Sequence, residues 1–566
     1  MWTEYENGKA YNNQLNLDET VKVNENFYIG KQWEGVQANG LPTPQINVIK
    51  RVVGFITATI TTDNIKMNAT ALGNTPNTDA LDDPVRIIND EFQALTEMND
   101  VPALTREFAR NAAVDGDGCM YTYWDADVDA GNGIKGAVKT EIINNTRVFF
   151  GNPADDDVQS QPFILIAKRL PCRTVRRLAR DNGAKNYKDI QPDSELANDI
   201  DSVKSTDNMT TVITTLWRND EDGEIWAYES TSTSDVRPPY SLGIRLYPIT
   251  WLSWDFVHDS YHGQAMITGL IPNQIFINKA LAMAMISIMR TSFPKYVYDK
   301  TRVAKWDNRV GGAIPVAGSI DTVAKAIDPP SISPQVSQFI QLAVDLTEQS
   351  LGATSVALGD TRPDNTSAIL ALQKAASTPS EQTKQNLYKA IESLYRIYYE
   401  FIGAYYGERM VDMATPENLK EAYRFAAQAN PAMGEIPSTI ASKFDFGYFR
   451  ANPMLLKLDV GASSYYSEIA SMQTLDGLLM QGKISIIQYL ERIPDDYIPR
   501  RRALIEELRS DLSQQQQPPM MPPQTADVGS TDAVPLEEPE PEVQGGRGYG
   551  KLQREINRTG TTEGLI

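Results

Sequence analysis

SYHGQAMITGLIPNQIFINKALAMAMISIMRTSFPKYVY, residues 260–298, contains no Asp or Glu, although 73 acidic residues against 53 Lys and Arg leave the 566-residue chain at −20. Pro272 suits a first helical turn. From there Pro272–Arg290 runs unbroken in Ala, Met and Ile, about 19 residues or roughly 28 Å of helix at 1.5 Å per residue. Phe293-Pro294 ends it. Tyr296–Val323 reads as a compact strand-and-turn segment with Gly311-Gly312 and Pro315. Ser333-Pro334 then offers an N-cap followed by Pro at the first helical position. Val336, Phe339, Ile340, Ala343 and Val344 keep one apolar face up to Leu351, where Gly352 can cap the end. Two long helices thus bracket a small β knob. A Met/Ala-rich helix without acids needs apolar neighbours over most of its circumference, and identical subunits in a ring supply them as readily as the same chain.

Outward from this segment the chain reads as α+β and mainly helical. Helices are expected over Leu17–Trp33, Pro44–Thr61, Asp83–Met98 and Ala103–Val114. Residues 116–253 turn to strand patterns at Cys119–Trp124, Ile134–Ile143, Arg147–Phe150, Phe163–Arg169, Thr210–Trp217 and Ile225–Tyr228, with a short basic helix at Thr174–Asp181. One antiparallel sheet is the expected core there. After a Gly-containing loop, Ser367–Met410 is helical with a break at Pro379 and a stripe of Leu387, Ile391, Leu394, Tyr395, Tyr398 and Ile402. Phe444–Asp459 returns to strands and Tyr465–Arg509 to short helices. Beyond Leu512 the Gln/Pro run, the acidic Pro/Glu run Leu536–Glu542 and the Gly-rich end lack the apolar residues to form a core, so a disordered tail is expected.

Composition excludes several classes. Two Cys preclude a disulfide framework and a Cys-based zinc ribbon. The longest apolar run, Ala280–Met289, is too short to span a membrane. The polar, acidic N-terminus has no apolar core of a signal peptide, so a soluble intracellular protein is expected. A strongly acidic chain is ill suited to gripping phosphates tightly, although DNA could still slide past it.

Searches for catalytic and cofactor chemistry return little. Gly30-Lys31 and Gly482-Lys483 lack the Ser/Thr of a phosphate-binding loop. Asp125, Asp127 and Asp129 imitate a calcium loop, but Ala130 and Gly136 stand where Gly and Glu are needed, and a hairpin turn is the expectation. His258 and His262, the only two His, are four apart. With Asp259 they could form a metal set only in unusual geometry, so a polar loop is expected and no metal or cofactor. No nucleophile elbow is present. Lys295, Lys300, Arg302, Lys305 and Arg309 against Asp299 and Asp307 leave a basic tip between the two long helices. By charge alone it is a solvated turn; the alternative is a docking surface for an acidic partner or for phosphates.

Three sets of residues carry a family resemblance. Asn26-Phe27-Tyr28-Ile29-Gly30-Lys31-Gln32-Trp33 with Pro44-Gln45-Ile46-Asn47-Val48-Ile49-Lys50 resembles the opening of tailed-bacteriophage portal proteins. Gly269-Leu270-Ile271-Pro272-Asn273-Gln274-Ile275-Phe276-Ile277-Asn278 resembles the start of their first stem helix. Leu351–Gly359 and Ser367–Leu372 are similar to their tunnel-loop region and the helix that follows. The resemblance implies a non-enzymatic ring subunit with wing (1–263 and 367–459), stem helices (264–292 and 333–351), clip (293–332), tunnel loop (352–366), crown (460–512) and a tail (513–566). It implies a dodecamer at one capsid vertex of the virion, assembled in the host cytoplasm, with double-stranded DNA passing non-specifically. Terminase large subunit, head-completion adaptor, major capsid and scaffolding proteins would be the partners, with no membrane. Thr354, Ser355, Asp360, Arg362, Asp364 and Asn365 would face DNA from the tunnel loop, Lys279 and Arg290 would lie on the stem, and the basic tip would dock partners. The rival readings are another structural virion protein of scaffold or baseplate type, and an acidic metalloenzyme built on His258, Asp259 and His262.

Overall fold

A computed structural model describes residues 2–63, 65–71, 79–129, 135–193, 208–292, 295–303, 305, 307, 314–319, 321, 323–327, 334–349, 380–414, 419, 439–459, 475–493, 504–505 and 508. The chain divides into two units, Met1–Ser471 and Met472–Ile566. The first opens with α1 (Trp2–Gln14), α2 (Leu17–Ile29) and α3 (Val48–Ile60). α1 was not expected from the sequence, because only Tyr5 and Asn12 of this polar helix are buried. α3 starts at Val48 rather than Pro44, where Asn47 caps it by accepting from Lys50 N–H at 2.9 Å. Val48, Ile49, Val52, Val53, Ile56 and Ile60 share its buried face, and burying that β-branched face outweighs the modest helix propensity of its residues.

Strand β1 (Lys66–Thr70), also unexpected, is followed by α4 (Asp79–Met98) and α5 (Val101–Asp115). β1 finds its partner nearly 400 residues away, in β14 (Leu455–Asp459). Asn89 of α4 completes its other edge, with Oδ1 accepting from Ala69 N–H at 2.7 Å.

Residues 117–253 form two antiparallel sheets rather than the single one expected. β2 (Asp117–Asp129), β3 (Lys135–Ile142) and β9 (Ile249–Ser253) make a three-stranded sheet in the order β3-β2-β9. β4 (Val148–Phe150), β5 (Phe163–Pro171), β6 (Met209–Arg218), β7 (Ile225–Ser230) and β8 (Asp235–Ser241) make a five-stranded meander. The meander is covered on both faces. Ile213 packs with Tyr5 of α1, while its neighbour Val212 packs with Val175 and Ala179 of α6 (Cys172–Asp181). Adjacent strand residues face opposite ways, so a strand covered on both sides loses its alternation.

α7 (Met266–Ser292), β10 (Lys295–Tyr298), β11 (Ala324–Ile327) and α8 (Pro334–Gln349) then follow. β10 and β11 pair antiparallel, Lys295 opposite Ile327, so the order helix, β knob, helix stands. α7 begins six residues earlier than expected, and Pro272 lies inside it. An interior Pro forfeits a hydrogen bond, but Met266, Ile267 and Leu270 ahead of it are buried in the core, which holds the early turns in place.

α9 (Glu381–Tyr405) is the axis of that core, and all six residues of its anticipated stripe are buried. Its tyrosines tie separate elements together. Tyr395 hydroxyl meets Thr96 Oγ1 of α4 at 2.6 Å, Tyr398 meets Thr140 Oγ1 of β3 at 2.8 Å, and Tyr405 donates to Leu242 carbonyl at 2.8 Å. Burial raises the pKa of each of these phenols, so they remain neutral hydrogen-bonding groups. β12 (Glu408–Ala414), β13 (Thr439–Asp445), α10 (Tyr448–Ala451) and β14 complete the described part of this unit, and α11 (Ile486–Arg492) lies in the second. The tail 513–566 lies outside the described residues.

Gly136 of β3 has φ +94°, and a Cβ there would stand 2.1 Å from Trp124 Cζ2. Gly136→Ala should therefore destabilise the protein by about 2–4 kcal/mol through strain and overpacking. Thermal unfolding measures it; an unchanged midpoint would show that Trp124 yields freely.

Candidate functional site

The residues of α7 divide into two regimes along its length. On the inner half Ile267, Leu270, Gln274, Ile277 and Asn278 are buried. Gln274 caps α3 from outside: its Oε1 accepts from Val48 N–H at 3.1 Å and Ile49 N–H at 3.4 Å, and its Nε2 donates to Ile46 carbonyl at 2.7 Å. The same Nε2 reaches Asn278 Oδ1 at 3.0 Å, and Asn278 Nδ2 donates to Gln32 Oε1 at 2.7 Å. Gln32 Nε2 donates to Phe27 carbonyl at 3.1 Å, and Asn47 Nδ2 to Tyr28 carbonyl at 2.9 Å. Trp33 Nε1 closes the loop by donating to Pro44 carbonyl at 3.0 Å. Strings far apart in sequence are thus one buried amide network fastening α7 to α2 and α3. Such groups are costly when left unmade inside a protein.

The outer half of α7 lacks that cover. Met283 is 64% exposed and Met289 55%, with Met285 and Ile288 also exposed. At 100° per residue these four positions span more than half the helix circumference. α8 packs on α7 through an edge-to-face contact of Phe276 with Phe339, centroids 5.6 Å apart. Its single expected stripe is two. Ala343 and Val344 pack on the chain's own core, while Val336, Phe339, Leu342 and Leu346 face outward, Phe339 and Leu346 each 57% exposed. Leu342 and Leu346 escaped sequence reading, although they continue the Phe339 face at i+3 and i+7. The pair is also poor in free charge. α7 has no acid, and Glu348 of α8, largely buried, meets Arg51 at 3.1 Å. Lys279 is exposed on α7.

At the knob, Lys300 and Lys305 are exposed, and Arg302 is 3.6 Å from Asp299. Asp299 also accepts from Thr301 N–H at 2.9 Å and Oγ1 at 2.6 Å, which holds its carboxyl below the usual range. Val303 and Val323 are buried beneath. Lys295 has its backbone in β10 and Arg290 in α7. Arg309 lies outside the described residues, as do Thr354, Ser355, Asp360, Arg362, Asp364 and Asn365.

The suspected metal set does not converge. His258 is solvent-exposed beside Asp259 at 3.4 Å, whereas His262 is buried, its Nδ1 2.7 Å from Asp117 Oδ2. Nor is the whole segment a polar loop, since His262 is enclosed by Tyr11, Tyr261 and Trp251. Asp117, which organises it, was missed because nothing in the local pattern sets it apart. Asp125, the first of the calcium-like acids, sits in the β2–β3 hairpin and binds Lys139 Nζ at 2.7 Å. Among the described residues no group of three His, Cys, Asp or Glu could hold a metal ion, and no helix is long and apolar enough to cross a membrane.

Gln274→Leu would leave Ile49 N–H and Asn278 Oδ1 without the amide, and reduce Val48 N–H and the Ile46 carbonyl to the bond they make with each other. A loss of about 2–4 kcal/mol follows, measurable by denaturant unfolding; a loss below about 1 kcal/mol would mean that water replaces the amide.

Residues 173–436 match the family model described as phage P22-like portal protein. The match bears out the resemblance to tailed-phage portal proteins and covers β6 to β9, α7, the knob, α8 and α9. No curated protein matches the chain.

Proposed function

Taking the chain as a phage portal protein, we propose that it forms a ring at one capsid vertex through which double-stranded DNA is packaged and ejected. The observation carrying this reading is the outward apolar surface of the α7–α8 pair, at Met283, Met285, Ile288, Met289, Phe339, Leu342 and Leu346. Contiguous apolar surface of this kind marks an interaction site. Two different faces, one on each helix, suit a head-to-tail contact that repeats and closes into a ring. Twelve subunits is the number that the family resemblance implies.

Charge favours the same reading. Duplex DNA carries one negative charge per about 1.7 Å of axis, so a strongly basic bore would hold it fast. Helices offering isolated cations such as Lys279, in a chain of net charge −20, suit passage instead. Within the proposal, residues 1–263 and 367–459 are wing, 264–292 and 333–351 stem, 293–332 clip, 352–366 tunnel loop, 460–512 crown and 513–566 tail. The tunnel loop would touch the duplex backbone without base readout. Lys300, Arg302 and Lys305 would dock the terminase large subunit and then the head-completion adaptor, while capsid and scaffolding proteins would surround the wing.

Met283→Glu with Phe339→Glu should shift the assembly from a ring to single subunits, dissociation exceeding about 100-fold if each buried charge costs a few kcal/mol. Mass photometry or light scattering reads it; an intact ring would reject the helix pair as the interface. Reversing Lys300, Arg302 and Lys305 to Glu should leave ring mass intact and weaken terminase or adaptor binding about tenfold or more. Undiminished docking would move the partner surface away from the knob.

A further inference from the structure

Where α7 enters the core, three carboxylates cluster with Arg110 and His262. Glu25 of α2 is engaged by Arg110 of α5 through both guanidinium nitrogens, Nη2 to Oε2 at 2.6 Å. Asp117 at the start of β2 is engaged by His262 at 2.7 Å, by Gly263 N–H at 2.7 Å and by Asn145 Nδ2 at 3.4 Å. Arg110 and His262 are each hydrogen-bonded to another carboxylate, which leaves Asp115, the last residue of α5. Its Oδ1 is buried with no hydrogen-bond partner. Burial first, then repulsion from Glu25 and Asp117, raise its carboxyl to about 7 against the pull of Arg110. Facing the same cluster are Asp18 of α2, itself raised by burial, and Lys9 of α1.

The backbone on either side of Asp115 supports the root of α7. Asn24 Nδ2 bridges Val114 carbonyl, at 2.9 Å, and Thr268 Oγ1 in the first turn of α7, at 3.1 Å. Gly116 carbonyl accepts from Trp254 N–H at 2.9 Å. Gly116 lies so close to Gly263 that a Cβ would be 2.7 Å from its carbonyl oxygen.

We propose that Asp115 is a proton-binding residue that sets how firmly the root of α7 is seated between α2 and α5. Protonated, it is a neutral buried carboxyl. Ionised, it is an additional anion facing Glu25 and Asp117, with Arg110 engaged by Glu25 and His262 by Asp117, and the joint loosens. Because the folded-state pKa is raised, this stabilisation is complete only below the ordinary carboxyl value of 3.8 and is lost progressively as pH rises to about 7. A carboxyl titrating there makes the seating of α7 responsive near neutrality, whatever the oligomeric state.

The test uses the full chain as purified, followed from about pH 6 to about pH 8, the window set by the raised carboxyl. Thermal midpoint and amide exchange over residues 264–272, corrected for intrinsic rate, are the readouts. In the wild type the midpoint should fall and exchange should quicken several-fold as pH rises. Asp115→Asn, a neutral isostere of the protonated acid, should abolish both slopes. The same slopes in Asp115→Asn would assign the titration to His262 or Asp18 and overturn the proposal, as would a flat wild-type profile. Should the variant fail to fold, infrared titration of the wild type decides. A protonated-carboxyl band disappearing near pH 7 supports the proposal, and its absence refutes it.

Discussion

Water is excluded from only one end of α7, and the rest of the architecture is arranged around that asymmetry. The inner turns pack against α2, α3 and α5, so polar groups buried there must find a protein partner. Gln274 and Asn278 do so by completing hydrogen bonds that α3 and the 27–33 turn cannot complete for themselves. The outer turns have no such enclosure, and their side chains are Met and Ile rather than Lys or Glu. Among the described residues, a helix of one composition thus has two environments, one enclosed and one exposed.

The amide network also explains why the most recognisable strings lie where they do. The residues at 26–33, 44–50 and 269–278 are hydrogen-bonded to one another across more than 200 residues. An amide serves both as donor and acceptor and carries no charge, so it can be buried at a helix entry without a counter-ion. Gly30 belongs to the same set. Its φ of +97° and the approach of Gln45 Nε2, 2.9 Å from where a Cβ would lie, leave little room for any other residue.

A portal-type role fits this division of labour. Most of the described helices and sheets pack around α9 and its tyrosines. Among the described residues the helix pair and knob comprise two strands and two helices. Buried polar and aromatic ties concentrate around α9, and exposed apolar side chains on the outer α7–α8 pair. Between them lies the Asp115, Asp117 and His262 cluster, where buried charge is finely balanced.

By itself the sequence determined the sharp elements: α5, α6, the strands β4 to β7, the α9 stripe and the helix, knob, helix order. Each is announced by local periodicity or by caps, and those depend on near neighbours in the chain. Tertiary structure decided what depends on distant partners. β1 is a strand because β14 and Asn89 supply its hydrogen bonds, and α1 is a helix with a role because Tyr5 meets the meander. α7 runs through Pro272 because the core holds its first turns, and the strands of 117–253 split into two sheets because their faces are covered from different sides. His262, expected in a polar loop, is buried because the fold brings Asp117 to it. The physical reason is the same throughout. Propensity and pattern act over a few residues at about 1 kcal/mol or less, whereas burial and the pairing of buried polar groups are worth several times more and are settled only when remote segments meet.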